Sequence, residues 1–453
     1  MLNSFLLHYF KSNKARAIIN STLLFICISV TSFSQAPNPA LIGYFHNWQD
    51  ANAPYIQLDQ LDSRYNIIDI AFATPAQGTD YNMVFTPDQV SVPVFQSQIQ
   101  NLQTQGKKVL ISIGGANATV SLDNIMERDS FISSMNSIIN TYGLDGLDID
   151  LEGSSVTTSG GTISSPTDQK LIHLIDAIKQ IMLDYYTTNN RRLLLTMAPE
   201  TAFVQGGQSA YGGIWGAYLP LINALRDSIE ILHVQLYNSG SMYGLDGNIY
   251  TQGTADFIVA QCEAVIQGFN TSGGFFAGLP ASKIAVGLPA CSSAAGGGFI
   301  DTIQVKAAIN YLRGNGPQVG SYTLIQSGAY PNFRGMMTWS INWDALASCG
   351  TSYEYANNFE QIFGTTTSLE NTITIASESY LYPNPSTGIF TFISAKNNFK
   401  GEINVFNILG SLVFTKSFAS NNFVLDLEKM PAGVYIANIF DGEKYYFQKL
   451  IIE

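Results

Sequence analysis

The sequence predicts an α/β protein, a (β/α)8 TIM barrel followed by a small all-β sandwich. Over residues 40–362, eight short apolar or β-branched runs alternate with stretches of helical periodicity. Strands that alternate with helices form parallel βαβ units. Eight such units in roughly 320 residues match the size of this barrel. After residue 363 the pattern changes to alternating strands separated by turns, which predicts the second domain.

The eight predicted barrel strands are each followed by a loop with Gly, Ser or Asn. They are Leu41–Trp48, Ile67–Thr74, Lys108–Gly115, Gly146–Gly153, Arg192–Glu200, Ile231–Asn238, Ile284–Ala290 and Gly335–Asn342. The main helix candidates are Pro93–Gln105, Ser130–Tyr142, Thr167–Tyr186, Ala255–Phe269 and Thr302–Arg313. A doubly wound open sheet is the alternative, but the first strand lacks the phosphate-binding glycine loop of that fold. In a barrel, the functional residues lie at the carboxyl ends of the strands.

Composition and charge narrow the classes of function. The 453 residues carry a net charge of −12, with 12% charged and 46% hydrophobic residues. This charge fraction is too low for a disordered or coiled-coil protein. The acidic balance argues against nucleic acid as a partner, because phosphate neutralisation needs a basic surface. Membrane-surface binding is disfavoured for the same reason, and we expect a monomer.

The first 36 residues have the layout of a secretory signal peptide. Lys11, Lys14 and Arg16 precede an apolar stretch at 17–30, and small polar residues follow it. An N-terminal anchor helix is the alternative, but the apolar stretch is shorter than the ~20 residues of a membrane span. We therefore expect a signal peptide at 1–36, a barrel at 37–363, a linker at 364–379 and a sandwich at 380–453.

Three cysteines remain after the predicted leader. Cys291 and Cys349 lie at or beyond the ends of neighbouring predicted strands, and export permits them to form a disulfide. Cys262 is left as a free thiol on a helix core face. The spacing of cysteines and histidines resembles no metal site. We expect neither metal nor cofactor, and we expect His46, His173 and His233 to have ordinary hydrogen-bond partners.

The fourth predicted strand carries a row of carboxylates. Strand side chains alternate, so Asp148, Asp150 and Glu152 share one face, which lies inside a barrel and rises toward its mouth. Like charges so close cannot all ionise, so at least one proton is shared and the pKa of a carboxyl group near the top is raised. A proton retained at Glu152 would suit a general acid. An acidic strand end that binds a cation or is merely solvated is the alternative.

Residues 145–152, Asp-Gly-Leu-Asp-Ile-Asp-Leu-Glu, resemble the DGxDxDxE signature of glycoside hydrolase family 18, the chitinases. Segment 112–115 on the third strand is similar to the family's SxGG segment. Segment 235–238 on the sixth strand, and Trp339 on the eighth, also match. The resemblance covers roughly residues 40–362. It implies a secreted chitinase that hydrolyses β-1,4-N-acetylglucosamine linkages in chitin or a related oligosaccharide.

The resemblance also implies roles for the matched residues. Glu152 would be the acid and then the base, Asp150 would orient the substrate's acetamido group, and Asp148 would tune Asp150 from below. The acetamido group attacks the anomeric carbon to give an oxazolinium intermediate, so the reaction is retaining. Tyr237 would donate a hydrogen bond to the acetamido carbonyl. Trp339 would form the apolar floor under the sugar.

Further residues are expected to bind substrate. The sixth strand has Gln235 and Asn238 where the commoner family form has Met and Asp, which resembles the plant-type and related bacterial branch. Asn238 can still hold a sugar hydroxyl. Glu200 is either a cleft hydrogen-bond partner or an ordinary strand-end acid. The other residues expected to contact substrate are Met197, Ser112 and Tyr44, although Tyr44 and Trp48 could instead serve the core, and Phe72 is expected to be core packing.

The C-terminal segment resembles the type A sorting domain of type IX secretion. The similarity runs from Tyr382-Pro-Asn-Pro-Ser-Thr-Gly388 through Pro431-Ala-Gly-Val-Tyr435 to the last residues. It implies contact with the secretion machinery and a secreted or cell-surface location after export through the periplasm. A carbohydrate-binding sandwich is the alternative. Such a module would ordinarily expose aromatic side chains in a row, and this segment has no Trp.

Loop lengths bear on the type of cleavage. Only about 45 residues separate the seventh and eighth predicted strands, so we expect no α+β insertion there. A shallow, open cleft and endo-type cleavage follow. Two other functions stay open: an endo-β-N-acetylglucosaminidase acting on N-glycans, with the same acid and acetamido chemistry, and a catalytically inactive lectin-like protein. Lectin-like relatives usually lose the acidic Glu.

Overall fold

The structure, a computed structural model, describes residues 36–364, 379–394, 400–407, 412–420, 422–440 and 445–453. The predicted signal peptide, apart from its last residue, and most of the predicted linker lie outside these residues. Within the described part of the chain, no helix combines the length and the apolarity that a membrane span needs.

Eight parallel strands form the nearly closed barrel that the sequence predicts. The first and eighth strands pair with Ala40 opposite Gly335, and single bridges join the sixth strand region to the seventh. All eight succeed one another around the barrel in chain order. The strands are Ala40–His46, Ile67–Pro75, Lys108–Gly114, Gly146–Asp150, Leu194–Met197, Ile231–Leu232, Ala285–Pro289 and Gly335–Trp339.

The fourth, fifth, sixth and eighth strands end three or more residues earlier than predicted, because the chain leaves the sheet to build the mouth of the barrel. The helices agree more closely. The second helix begins at Ile125 instead of Ser130, because the Asn124 side chain accepts hydrogen bonds from the N–H groups of its first turn. The helices are α1 Val92–Thr104, α2 Ile125–Tyr142, α3 Gln169–Asn189, α4 Leu219–Leu225, α5 Ala255–Gln267, α6 Thr302–Arg313, α7 Ile341–Asp344 and α8 Glu354–Phe363.

Short antiparallel pairs that were not predicted decorate the barrel. Met83–Val84 pairs with the end of the second strand. Two small hairpins follow the sixth strand, Ser241–Tyr243 with Ile249–Thr251 and Phe269–Thr271 with Gly274–Phe276. Residues 290–334, all of them described, contain helix α6 and no strand, so the α+β insertion is absent as expected.

The core lies between the barrel and its helices. Leu147, Ile149 and Leu151 of the fourth strand are fully buried there, and alternation turns Asp148 and Asp150 to the barrel interior. Fully burying one such aliphatic side chain stabilises the fold by ~1.5–3 kcal/mol. Cys291 and Cys349 form the expected disulfide, and Cys262 is a buried free thiol.

The C-terminal residues form two small antiparallel sheets, as predicted for a sandwich. One sheet has Ser379–Tyr382, Ile389–Ser394 and Asn422–Asp426, and the other has Leu412–Phe418, Gly401–Asn407, Gly433–Phe440 and Tyr445–Ile452. Phe390, Val405 and Leu425 are fully buried in their common core. Tyr435 is also buried, and its hydroxyl donates to the Pro431 carbonyl at 2.8 Å. Its ring therefore offers no flat surface to a sugar.

Candidate active site

The three carboxyl groups of the fourth strand rise through the barrel interior as predicted. Asp148 is fully buried, Asp150 is 3% exposed, and Glu152 is half-buried at the mouth. The strand ladder ends at Asp150, and Gly153, with a φ of 60°, turns the chain away immediately after Glu152. Glu152 and Asp150 line the cleft at the mouth, whereas Asp148 lies below it.

One amide group holds the upper two carboxyl groups. Gln235 Nε2 donates to Asp150 Oδ1 at 2.7 Å, to Glu152 Oε1 at 3.0 Å and to the Ala198 carbonyl at 3.0 Å. Its two hydrogens are thus shared among three acceptors. The Gln235 side chain borders the cleft but is 4% exposed. The amide hydrogens are thus committed within the protein, and contact between Gln235 and substrate stays a prediction.

The sequence predicts a raised pKa near the top of this row, with a proton retained at Glu152, and the structure places the raised pKa at Asp150. Burial, and next the charges of Glu152 and Asp148, raise the pKa of Asp150 well above its ordinary value. The carboxyl groups of Asp150 and Glu152 are also hydrogen-bonded to each other. Burial and the charge of Glu152 raise the pKa of Glu200, which lines the same cleft. Glu200 is therefore a cleft residue and not an isolated strand-end acid.

Asp148 is held by hydroxyl groups from three other strands. Tyr44 and Ser112 donate to its Oδ2, and Thr196 donates to its Oδ1, each at 2.6 Å. Burial alone would raise the pKa of Asp148, but the hydrogen bond and charge of His233, together with the hydroxyl donors, bring it below its ordinary value. Asp148 is the ionised member of the row.

These contacts correct three predicted substrate residues. Tyr44 is 1% exposed and Ser112 is fully buried, so both support Asp148 and do not reach the cleft. Met197 is fully buried on the opposite side of its strand, among the side chains that pack against the helices. Alternation decides this, because Thr196 points inward to Asp148 and its neighbour must point outward.

Aromatic rings line a cleft of about 730 Å³ above the carboxyl pair. The ring of Trp339 stacks with that of Phe72 at 5.9 Å between centroids and 13° between planes. Phe72 packs against a buried cluster as expected, and it also lines the cleft. Trp48 and Tyr237 line it too, with Tyr237 only 5% exposed. The polar rim comes from the loops after the second and third strands, 74–80 and 114–119.

Asn238 fastens a loop at the edge of the cleft. Its backbone N–H donates to the Gly297 carbonyl at 3.1 Å, and its Oδ1 accepts from the Gly297 N–H at 3.1 Å. A Cβ atom at Gly298 would lie 2.5 Å from the Tyr237 Cα, so only glycine allows this approach. The disulfide holds the start of the same loop at Cys291. The Asn238 amide oxygen is thus used within the protein, although the residue does line the cleft.

Two buried residues belong to the site although no sequence motif assigns them to it. Asp69 of the second strand and His233 of the sixth strand region lie beside Asp148, with His233 Nε2 at 3.4 Å from Asp148 Oδ1 and 3.8 Å from Asp69 Oδ2. The signal was a single polar residue inside each apolar run, Ile67-Ile-Asp-Ile70 and Ile231-Leu-His-Val234. Atoms of the three residues lie within 4.8 Å of one another. Asp148 already accepts hydrogen bonds from three hydroxyl groups. The three residues are therefore better suited to hold a proton between them than to bind a cation.

The expectation for the histidines holds only in part. The ring of His173 makes a hydrogen bond with the Leu122 carbonyl at 2.7 Å. The ring nitrogens of His46 have no hydrogen-bond partner in the described structure, and for His233 the close polar contacts are those of Nε2 with Asp148 at 3.4 Å and with Asp69 at 3.8 Å. Burial lowers the pKa of His46 to about 4. Its neutral ring stacks on Trp48 at 4.5 Å between centroids, which places an apolar surface beside the cleft.

Fold and cleft together define the class of TIM-barrel glycoside hydrolases. Residues 40–386 match the glycosyl hydrolases family 18, and residues 380–453 match the secretion system C-terminal sorting domain. The chain belongs to glycosyl hydrolases family 18. The sorting domain indicates export, with release or attachment at the cell surface, as the sequence predicted.

Several proteins that are similar in sequence or structure to this chain are named chitinases. Chitinase Chi52 of Paenibacillus xylanexedens is 45% identical over 347 residues, which are 75% of this chain and 65% of that one. Chitinase ChiA of Flavobacterium johnsoniae is 34% identical over 90% of this chain and 27% of its own length. The crystal structure of a family GH18 chitinase from Chromobacterium violaceum is 36% identical with a TM-score of 0.63, covering 72% of this chain and 84% of that one. The chain thus spans less than two thirds of the Paenibacillus and Flavobacterium relatives.

Proposed function

We propose that this protein is a secreted chitinase that hydrolyses β-1,4-N-acetylglucosamine linkages with retention, through an oxazolinium intermediate. The observation that carries the proposal is the hydrogen-bonded pair of Asp150 and Glu152, held by Gln235 at the mouth of the barrel. The 45% identity to a protein named chitinase supports the choice of substrate.

Glu152 is the acid and base of the proposed reaction. It is the half-buried carboxyl group that meets the cleft, and it would pass the proton that it shares with Asp150 to the glycosidic oxygen as the bond to the anomeric carbon breaks. The oxygen of the substrate's own acetamido group forms the new bond to that carbon. Water then opens the oxazolinium ring, and Glu152 takes up the proton of the water. No carboxylate nucleophile of the protein is required.

Asp150 would act on the acetamido group. Its raised pKa keeps a proton within the pair of Asp150 and Glu152 before the reaction. Once that proton has passed through Glu152 to the glycosidic oxygen, the ionised Asp150 can accept a hydrogen bond from the acetamido N–H group and offset the positive charge of the intermediate. Burial also raises the pKa of Tyr237, so its hydroxyl stays protonated and can donate to the acetamido carbonyl. The half-buried ring of Trp339 would lie under the sugar.

A comparison of two cleft carboxyl groups tests the proposal. Glu152→Gln should lower hydrolysis of a chitooligosaccharide by at least ~10²-fold, because the general acid is lost. Glu200→Gln removes a carboxyl group from the same cleft and is the matched control, with a much smaller loss. Equal rates for Glu152→Gln and the unmodified protein would refute the mechanism. Turnover of a high-mannose glycopeptide but not of the chitooligosaccharide would instead favour an endo-β-N-acetylglucosaminidase, and binding without turnover would favour a lectin-like protein.

We further propose endo-type cleavage by a monomer with a catalytic barrel at 37–363, a linker at 364–379 and a sorting domain at 380–453 that contacts the secretion machinery. The short connection between the seventh and eighth strands supports an open cleft. An early fall in the viscosity of a soluble chitin derivative would support endo cleavage, and disaccharide release without that fall would contradict it.

A further inference from the structure

A layer of buried polar side chains lies directly beneath the carboxyl pair. Asp69, Asp148 and His233 come from three different strand regions and are fully enclosed. The reaction proposed above uses Glu152 and Asp150, and it leaves Asp69 and His233 without a role. Burying three ionisable groups together is costly unless protons and hydrogen bonds compensate their charges. Their arrangement therefore shows where the protons lie.

Asp148 must carry the negative charge of this layer. Three hydroxyl groups donate to its two oxygens at 2.6 Å, and His233 Nε2 lies 3.4 Å from Oδ1. This set of donors stabilises a carboxylate. A proton on Asp148 would compete with those donors for the same oxygens.

Asp69 is the opposite case. Neither of its oxygens has a hydrogen-bond partner in the described structure, although the residue is fully buried. An ionised carboxyl group without donors, beside the charge of Asp148, would be strongly destabilised. Burial, and next the charge of Asp148, raise the pKa of Asp69 well above its ordinary value. Asp69 therefore holds a proton, and its neutral carboxyl group faces His233.

We propose that His233 and Asp69 are positioning residues that decide which aspartate of the catalytic strand holds the proton. His233 presents Nε2 to Asp148, and the neighbouring Asp69 holds a proton. Asp148 therefore stays ionised. The proton of the carboxyl pair formed by Asp150 and Glu152 then stays on Asp150. The inference rests on the proposed function, because only that reaction requires a protonated Asp150. Under this proposal, the buried layer of Asp69, Asp148 and His233 controls the two carboxyl groups above it, which meet the substrate.

The direction of the effect follows from the neighbouring charges. The titratable groups that face His233 are Tyr44 from the first strand, Asp69 from the second and Asp148 from the fourth, with Asp150 one step above. Asp148 and Asp150 are two residues apart, about 7 Å along a strand. At that distance, loss of the Asp148 charge lowers the proton affinity of Asp150 by roughly one to two pH units at an effective dielectric constant of about 20.

His233→Leu removes the nitrogen that faces Asp148. Asp148 should then take up a proton, Asp150 should lose its own at lower pH, and the alkaline limb of the kcat profile should move down by roughly one to two pH units. His233→Gln restores an N–H donor and should recover part of the shift. His173→Leu is the matched control, because His173 lies on helix α3 outside the barrel. Superimposable profiles for His233→Leu and the unmodified protein would overturn the proposal.

Infrared spectroscopy tests the proton positions without substrate. With isotope-labelled aspartate, the unmodified protein should show carbonyl bands of buried protonated carboxyl groups, and Asp69→Asn should lose one of them. An unchanged band pattern in Asp69→Asn would overturn the proposal even if chitooligosaccharides are hydrolysed. Stoichiometric metal in the purified protein would overturn it as well. If the unmodified protein hydrolyses no chitooligosaccharide, the proposed function fails, and the spectra still decide whether Asp69 is protonated.

Discussion

Gln235→Met tests how the amide of Gln235 controls the carboxyl pair. Methionine has a similar volume but no N–H group, so the change removes the bonds to Asp150, Glu152 and the Ala198 carbonyl. The amide stabilises the ionised form of Asp150 and therefore lowers its pKa. A hydrogen bond to a charged group contributes ~1.5–3 kcal/mol, which corresponds to about one to two pH units. The alkaline limb of kcat should move to higher pH by up to that amount.

The same change should reduce stability. It leaves the Ala198 carbonyl and one oxygen of Asp150 without a donor, and a buried unpaired polar group costs ~1–3 kcal/mol. We therefore expect the free energy of unfolding to fall by about 2–4 kcal/mol. Urea denaturation at neutral pH and the pH dependence of kcat on a chitooligosaccharide measure the two effects.

Gln261→Met provides the matched control for Gln235→Met. Gln261 is fully buried, and its amide donates to the Tyr243 carbonyl at 3.2 Å and makes no hydrogen bond to a carboxyl group of the described residues. It should lose stability without moving the pH profile. The reasoning is refuted if Gln235→Met leaves the alkaline limb in place, or moves it to lower pH, while the protein remains folded.

Two further predictions concern stability. Replacing Cys291 and Cys349 together by Ser should lower the free energy of unfolding by ~2–4 kcal/mol, because the bridge closes a loop with a sequence separation of 58; equal denaturation midpoints with and without the bridge would contradict this. Burial lowers the pKa of His46 from 6.5 to about 4. The unfolded chain therefore takes up a proton at His46 before the folded protein does. The stability contribution of the neutral ring is present above pH 6.5, and about 3 kcal/mol of it is lost as the pH falls toward 4. His46→Phe keeps an aromatic ring on Trp48 and should flatten that part of the pH dependence of unfolding, whereas an unchanged slope between pH 6.5 and 4 would show that another group is responsible.

Much of the architecture could be predicted from local patterns. Apolar runs alternating with helical stretches predict the barrel, and period-two alternation places Asp148, Asp150 and Glu152 on one interior face. Both depend on residues close together in the chain, so no knowledge of the tertiary fold is needed. The short connection before Gly335 and the change of pattern after residue 363 are equally local.

The residues that surround those carboxyl groups could not be predicted in the same way. Tyr44, Ser112 and Thr196 come from three strands and meet at Asp148 only because the barrel closes around its axis. Tyr44 and Ser112 were therefore expected to contact substrate. Met197 does not reach the cleft because its neighbour Thr196 faces the barrel interior. The short strand gives no local signal for which of the two side chains points inward.

The sequence by itself determined the barrel and the row of three carboxylates, because alternation and loop length are properties of neighbouring residues. The tertiary structure decided where the proton lies. That depends on desolvation and on donors from distant strands: Gln235 lies 85 residues from Asp150, and Tyr44 lies 104 residues from Asp148. Burial raises the proton affinity of Asp150, while hydroxyl groups keep Asp148 ionised. No local pattern carries that difference between two aspartates on one strand.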